Sequence, residues 1–419
     1  MLRKKWIATL GISALLVGGV LSGCSKDTKE STGKVDEGKK VEVTLAGWGS
    51  SPEEADLLSQ VLKDFEAKHP NIKVKHEVIA DQYMDVVKTR LIGGEGPDVF
   101  YLDAVEAPAL IETGVVEPLN DYVKDDFDLE DFEKPLIEAF QKDGKYYGFP
   151  KGYSTLALFY NKQMLSNAGV EVPTTWDELR EVSKKLTDGT NVYGFGQNPE
   201  LARTYFIAEA LGGKVVEDNK ANFAEPKVVE ALKPYVDQHL IEKTAAQPSD
   251  VGADWTGEMF GQGKAAMVIE GNWTIPYLDS TFPNIEYGMA EVPTIDGKKG
   301  TMAFTVAYVM NAATEKKEAA WELISYLTGK EGMETWTSKG FELPSRKSVA
   351  ENLGYDKDEL RGALVAGAPY ATVWSNGTNL PIIFNNFNNQ FVSAYLGQAN
   401  LADALTEAEK TANKEIEKQ

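Results

Sequence analysis

The sequence predicts an α/β protein with a mainly parallel sheet and helices on both faces, and three observations lead there. Between residues 41 and 102 the hydrophobic pattern runs strand, helix, strand, helix, strand, the alternation that parallel strands require because their crossovers are long. Comparable punctuation returns beyond residue 175, which makes a second α/β lobe plausible. The chain has 419 residues, enough for two or three domains at roughly 150 residues each.

Residues 41–46 alternate apolar and polar side chains as a half-buried strand does, and Gly47-Trp48-Gly49 breaks the pattern. A helix should follow. Ser51 can cap it, Pro52 suits its first turn, Glu53 and Glu54 face the positive end of its dipole, and Leu58, Val61, Leu62 and Phe65 recur at helical spacing. Pro70 and Asn71 stop it. Residues 72–78 alternate again, 83–92 read as a helix closed by Gly93-Gly94, and 98–102 form a short apolar strand after Gly96-Pro97. Ligands of such sheets collect beyond the carboxyl ends of the strands, where Trp48 and Asp103 sit. Further on, Thr175 and Glu178 make a capping box ahead of Leu179, Val182 and Leu186. Residues 255–263 read as a helix, and 265–270 as a buried strand ended by Gly271-Asn272-Trp273. Residues 301–311 look like another strand, and Trp321, Ile324 and Leu327 mark a helix after Thr314. No strong internal repeat is evident.

Composition narrows the function. Hydrophobic residues at 42% and charged residues at 26% are those of a folding globular chain. The 64 acidic residues against 43 basic ones give a net charge of −21, which repels phosphate backbones, so nucleic acid is not an expected partner. Three histidines and one cysteine are too few for a structural zinc or iron–sulfur site and allow no intramolecular disulfide. No cofactor is expected, and any metal would have to be held by oxygen.

The single cysteine reads as a processing site. Arg3, Lys4 and Lys5 precede an apolar run over residues 6–20, shorter than the roughly 20 residues that span a bilayer. Leu21-Ser22-Gly23-Cys24 resembles the bacterial lipobox. That resemblance implies a signal peptide over residues 1–23, cleavage before Cys24, a lipid on its thiol, and a tether to the cell membrane rather than a span. The mature chain would keep 40 basic residues against 64 acidic ones, a charge of −24. Polar residues 25–40 read as a flexible spacer.

Gly94-Glu95-Gly96-Pro97-Asp98-Val99-Phe100, Tyr147-Gly148-Phe149-Pro150 and Leu158-Phe159-Tyr160-Asn161-Lys162 closely resemble segments of the extracellular solute-binding proteins of bacterial sugar ABC importers, the maltose-binding-protein-like group. So do the segment 260–267, Gly271-Asn272-Trp273 and Leu343-Pro344-Ser345-Arg346. The resemblance runs from Val41 onward in family order. It implies a two-lobed, periplasmic-binding-protein-like fold whose chain crosses between lobes near Tyr153, Gly300 and Thr328. The first lobe would comprise residues 41–153 plus 301–328, and the second 154–300 plus 329–419. It also implies capture of an oligosaccharide by lobe closure, delivery to permease subunits of an ABC transporter, a monomeric receptor, and binding without turnover.

A neutral sugar offers hydroxyls that need hydrogen-bond partners and C–H faces that stack on aromatic rings. Asp103 resembles the family position where a carboxylate accepts sugar hydroxyls, the competing reading being a helix N-cap or surface acid. Trp273 lies where the family places a stacking aromatic, against inter-lobe packing as the alternative. Trp48 rests on topology and on a family loop that reaches the ligand, with core packing as its rival. Tyr153, Tyr205, Arg346, Trp374 and Phe384 are secondary candidates, each with a structural role as the competing reading. Ser154 stands near a hinge position where the maltose-binding protein has a carboxylate, which puts maltodextrin specificity in doubt.

Two other classes compete. A secreted glycoside hydrolase would need two carboxylates roughly 5 to 9 Å apart, which spacing in sequence does not exclude, although no HExxH, P-loop or GxSxG motif is present. A receptor for another solute, such as a peptide, polyamine or metal, is the second. The acidic run 125–133 lacks the glycine that an EF-hand loop requires, and scarce histidine disfavours a transition metal.

Overall fold

Strand β1 (Val41–Trp48) pairs in parallel with β2 (Ile72–Ile79) on one side and β3 (Val99–Asp103) on the other, in a computed structural model that describes residues 40–49 and 52–418. Helices Pro52–Lys68 and Tyr83–Ile92 make the two crossovers. The anticipated cap Ser51, the signal segment, Cys24 and the spacer to residue 39 lie outside the described residues. Gly47 and Trp48 do not end β1; they pair with Val78 and Ile79. A Cβ at Gly47 would lie 2.7 Å from the Tyr101 ring, so the glycine is there for close packing between neighbouring strands rather than for a turn. The third strand starts one residue later than expected because Asp98 has another task. Its carboxylate accepts hydrogen bonds from the Thr44 amide (2.7 Å), Thr44 Oγ1 (2.8 Å), Thr314 Oγ1 (2.6 Å) and Lys316 Nζ (3.0 Å), tying β1 to the segment that leads into helix Lys317–Leu327.

From this sheet the chain passes directly to a second one. Strand β4 (Gly148–Thr155) is followed after one residue by β5 (Ala157–Asn161), which pairs antiparallel with β8 (Ala265–Glu270) and β9 (Tyr287–Ala290). Strands β6 (Tyr193–Gly196) and β7 (Ala245–Ala246) continue that sheet in parallel with β8. Helix Trp176–Leu186 crosses over it, started by the expected capping box: Thr175 Oγ1 accepts from the Glu178 amide, and the Glu178 carboxylate accepts from the Thr175 amide. The chain returns through β10 (Met302–Met310), antiparallel to β3 on one edge and to β4 on the other. Each sheet therefore has three parallel strands followed by an antiparallel one supplied by a crossing chain. The short β11 (Thr372–Val373) joins the start of β10.

Apolar side chains gather on both sheets. Phe65, Val87, Phe100, Leu102 and Trp321 belong to the core of the first, which also takes Met333, Trp336 and Val349 from beyond residue 328. Leu158, Phe195, Phe206, Leu232, Phe387 and Leu405 belong to the core of the second, and Tyr153, Phe159, Leu343 and Leu364 to a third cluster. At roughly 1.5–3 kcal/mol per fully buried large side chain, these clusters are the main force holding each lobe together. The described residues fall in one compact unit. Among them, no helix is long and apolar enough to cross a membrane, and no group of three or more His, Cys, Asp or Glu is placed to hold a metal ion.

Candidate ligand-binding site

Because β1 and β3 run parallel, their carboxyl ends emerge at one edge of the first sheet, and this brings Trp48 and Asp103 to the same rim. Trp48 is half-buried and meets the rings of Tyr83 and Tyr101 edge-on, each at 5.2 Å. Tyr83 is itself locked, its hydroxyl bonded to the carbonyls of Ala46 and Tyr101 and to the Tyr101 amide.

Asp103 closes β3 opposite Val306 of β10. Its Oδ1 accepts from the Val105 amide at 3.0 Å, and Oδ2 makes no hydrogen bond among the described residues. Burial, aided by the nearby charge of Glu106, pushes its pKa up to about 6. It does not cap the following helix, Ala107–Glu112, whose N-cap is Glu106. Val105 packs against the core of the second lobe, so the loop after Asp103 reaches across.

The second lobe contributes Trp273. The indole N–H donates to Glu270 Oε2 (3.1 Å), and the ring meets Phe304 of β10 at 5.9 Å and 69°. Arg203, from helix Leu201–Ala210, lies 5.2 Å from the Trp273 ring and 5.6 Å from that of Phe304 while bonding the same Glu270 oxygen at 3.2 Å. Asn272, one residue earlier, donates its amide to Ser154 Oγ (2.9 Å) and its side-chain N–H to the Phe341 carbonyl (2.6 Å). Ser154 is thus engaged at the chain crossing.

Trp374, Tyr205 and Phe384 form a second aromatic group. Trp374 meets Tyr205 edge-on at 6.1 Å and Phe384 at 5.8 Å, and Asn376 Nδ2 donates to the Tyr205 hydroxyl at 2.7 Å. Tyr205 sits inside helix Leu201–Ala210, buried in the second core, and burial raises its pKa. The Trp374 amide donates to the carbonyl of Ala303, next to Phe304, which joins the two groups along β10.

Two candidates stand apart. Tyr153 is buried in the third cluster and exchanges both backbone hydrogen bonds with Leu343, each 2.9 Å. Arg346 is 1% exposed, and its guanidinium donates to the carbonyls of Thr328 (2.6 Å), Asp128 (2.9 Å) and Phe127 (2.8 Å), lies 3.5 Å from Asp131 Oδ2 and covers the Phe132 ring at 4.0 Å. With its donors so occupied it clamps loops of the first lobe together, beside a surface cavity of about 290 Å³ that Tyr122, Phe127 and Trp321 also line. Sequence reasoning missed Phe304, Arg203, Glu270 and Val105. Phe304 lay within a recognised strand whose inward and outward faces could have been separated. Arg203 and Val105 carry no periodic signal, since their partners lie far away in sequence, whereas Glu270 and its indole partner Trp273 are three residues apart.

The sequence profile of the bacterial extracellular solute-binding proteins matches residues 48–334, more than half of the chain. The chain belongs to this family. Among similar solute-binding proteins, the diacetylchitobiose binding protein DasA of Streptomyces coelicolor is 27% identical over all of both chains. The galactooligosaccharide-binding protein of Bacillus subtilis is 24% identical over 93% of this chain and 92% of its own. An ABC substrate-binding protein of Listeria monocytogenes, solved in complex with cycloalternan, is 26% identical and superposes with a TM-score of 0.80 over 90% of this chain and 100% of its own. The sugar-binding protein MalE of Xanthomonas citri, at 22% identity, shares the fold with a TM-score of 0.81 over 90% of this chain and 98% of its own. The solute-binding family fold is thus two-lobed, and here β4 and β10 pair antiparallel within the first sheet.

Proposed function

We propose that this protein is the substrate-binding lipoprotein of a carbohydrate ABC importer, capturing a neutral oligosaccharide between its lobes and delivering it to a membrane permease. The observation that carries this reading is the alignment along β10. Asp103 of the first lobe pairs with Val306, Trp273 of the second packs on Phe304, and both β10 side chains are half-buried while their neighbours Ala303, Thr305 and Ala307 are buried. Two residues along a strand span about 7 Å on one face. A carboxylate and an aromatic platform are therefore set side by side by a single strand, the pairing that a sugar's hydroxyls and C–H face demand. The relatives named for diacetylchitobiose and galactooligosaccharide, and the neighbour bound to cycloalternan, support the same class.

Closure about the crossing strands would bury the ligand, and each hydroxyl must then find a partner, because a buried unpaired polar group costs about 1–3 kcal/mol. In this reading Trp48 extends the platform from the first lobe, while Tyr205, Trp374 and Phe384 shape the second lobe's side. The lobes divide as residues 41–153 plus 301–328 and the remainder, with helix Lys330–Thr337 going to the first through Met333 and Trp336. Residues 1–23 act as a signal peptide, lipidated Cys24 tethers a monomeric receptor outside the cell, and no chemistry is done on the ligand.

A thermal-shift screen against mono- and oligosaccharides tests this, since a ligand bound only by the folded state raises stability by RT ln(1 + [L]/Kd). A shift with one sugar family, with the sugar recovered intact, is the expected result. No shift with any sugar, in folded protein stripped of carried-over ligand, would turn the search to other solutes. Loss of intact sugar would point to hydrolysis.

A further inference from the structure

We infer that Glu270 is a positioning residue of the binding site: its carboxylate, together with Arg203, holds the Trp273 indole at a set angle so that one ring face is presented to a sugar. The inference rests on the carbohydrate reading above and concerns how that site is preorganised.

Glu270 is the last residue of β8 and is 1% exposed. A carboxyl buried this deeply is costly unless hydrogen-bonded. Its donors come from three separate elements: Thr256 Oγ1 at the start of helix Thr256–Gly261, Arg203 Nη2 from helix Leu201–Ala210, and Trp273 Nε1 from the turn just after the strand. An indole has one N–H, so bonding it to a fixed acceptor three residues back determines the ring's rotation. The other sides of the ring are set as well. A Cβ on Gly271 would collide with the benzo edge, so that glycine admits the ring close to the backbone. Phe304 meets it edge-on, and the Arg203 guanidinium lies over it at 5.2 Å. Yet Trp273 remains half-buried, so part of its surface is left for something else.

Arg203 ion-pairs with Glu270 and with Glu200 while its guanidinium covers the ring. Its Nε is buried with no hydrogen-bond partner, 3.6 Å from the nearest Glu200 oxygen. Its guanidinium lies 5.2 Å from the Trp273 ring and 5.6 Å from the Phe304 ring, against the pair they form. A side chain fixed before binding loses less freedom when the ligand arrives, and affinity rises accordingly.

The test uses the full chain with nitrogen-15 in its indoles, Trp273→Phe identifying the Trp273 N–H resonance. In the wild type that proton should exchange with solvent at least tenfold more slowly than a free indole, and in Glu270→Gln its resonance should move and the protection fall. Calorimetry with maltotriose, diacetylchitobiose and a galactooligosaccharide should show any sugar bound by the wild type binding at least tenfold more weakly to Glu270→Gln, at a temperature where the variant is folded. Exchange as fast as a free indole in the wild type overturns the inference, and so does unchanged affinity in Glu270→Gln. Should Glu270→Gln not fold, Arg203→Lys, which keeps the charge but loses the planar cover, takes its place: a fall in affinity supports the inference and an unchanged affinity overturns it. If the wild type binds none of the sugars, the carbohydrate reading fails, while the indole exchange still decides whether Glu270 holds Trp273.

Discussion

The ammonium of Lys151 lies 2.5 Å from Glu342 Oε1, in a slot where 1% of the lysine side chain meets solvent. The Tyr101 and Trp336 rings flank it at 5.0 and 4.3 Å, and Trp336 Nε1 donates to the other Glu342 oxygen at 3.0 Å. Removing one partner of such a pair weakens the compensation of the other charge, to which Glu54 also contributes on the Lys151 side, and the more deeply buried charge suffers more. Glu342→Leu should therefore destabilise the protein by about 3 kcal/mol and Lys151→Met by less, because the Glu342 side chain is 23% exposed. Urea unfolding of the two variants checks the order, and equal losses would show that the burial asymmetry does not matter.

Asp98 should govern acid stability. Burial alone would raise its pKa, but hydrogen bonds from Thr314, Thr44 and Lys316 outweigh that and leave it below the usual carboxylate value. A carboxyl depressed on folding adds stability above its unfolded value near 4, and that contribution is lost as the pH falls through the folded value. Asp98→Asn should lower stability by roughly 2 kcal/mol at pH 7 and flatten its decline below pH 4, as read from denaturant midpoints across pH.

Asp103 carries the opposite shift, up to about 6. Its folded form holds a proton that the unfolded chain releases near 4, so from this group stability falls as pH rises from 4 to 6. A ligand hydroxyl that donates to the carboxylate needs the ionised form. Sugar affinity should thus weaken on going from pH 7 to pH 5, and Asp103→Asn should bind weakly with no such slope. Titration calorimetry at several pH values would show it; a slope that persists in the variant would assign the dependence to another group.

Trp273→Ala should weaken oligosaccharide binding by about tenfold or more, the size expected for losing one aromatic contact. The chain should still fold, since Trp273 is only partly buried. Wild-type affinity in this variant would remove the residue from the site.

Arg346→Lys should act on stability alone. An ammonium cannot replace a planar fork that reaches three carbonyls, and leaving those acceptors buried costs about 1–3 kcal/mol. Sugar affinity of the folded variant should equal that of the wild type; a weaker affinity would return Arg346 to the binding site.

Much of the architecture could be read along the chain. The helix over Tyr83–Ile92, the strand Ala265–Glu270 and the capping box at Thr175 depend on side-chain period and on contacts three or four residues apart, and these are printed in the sequence itself. The rim positions of Trp48 and Asp103 followed from parallel strand direction alone. Gly47 shows where that reading ran out: a glycine signals a turn or a close approach equally well, and only the Tyr101 ring lying against it distinguishes the two.

The remaining decisions belong to contacts between residues far apart in sequence. Arg203 meets Glu270 across 67 positions and Lys151 meets Glu342 across 191, and no local period records either pairing. Arg346 is a secondary candidate in the sequence, with a structural role as its rival reading, and the carbonyls of Thr328, Asp128 and Phe127 around its guanidinium are contacts that only folding could place. Periodicity and capping chemistry therefore set the α/β class and the elements, because those are short-range effects. The pairing of β4 with β10 and of β10 with β3 decided which side chains from distant segments meet, because burial and hydrogen-bond partners exist only once those segments have been packed together.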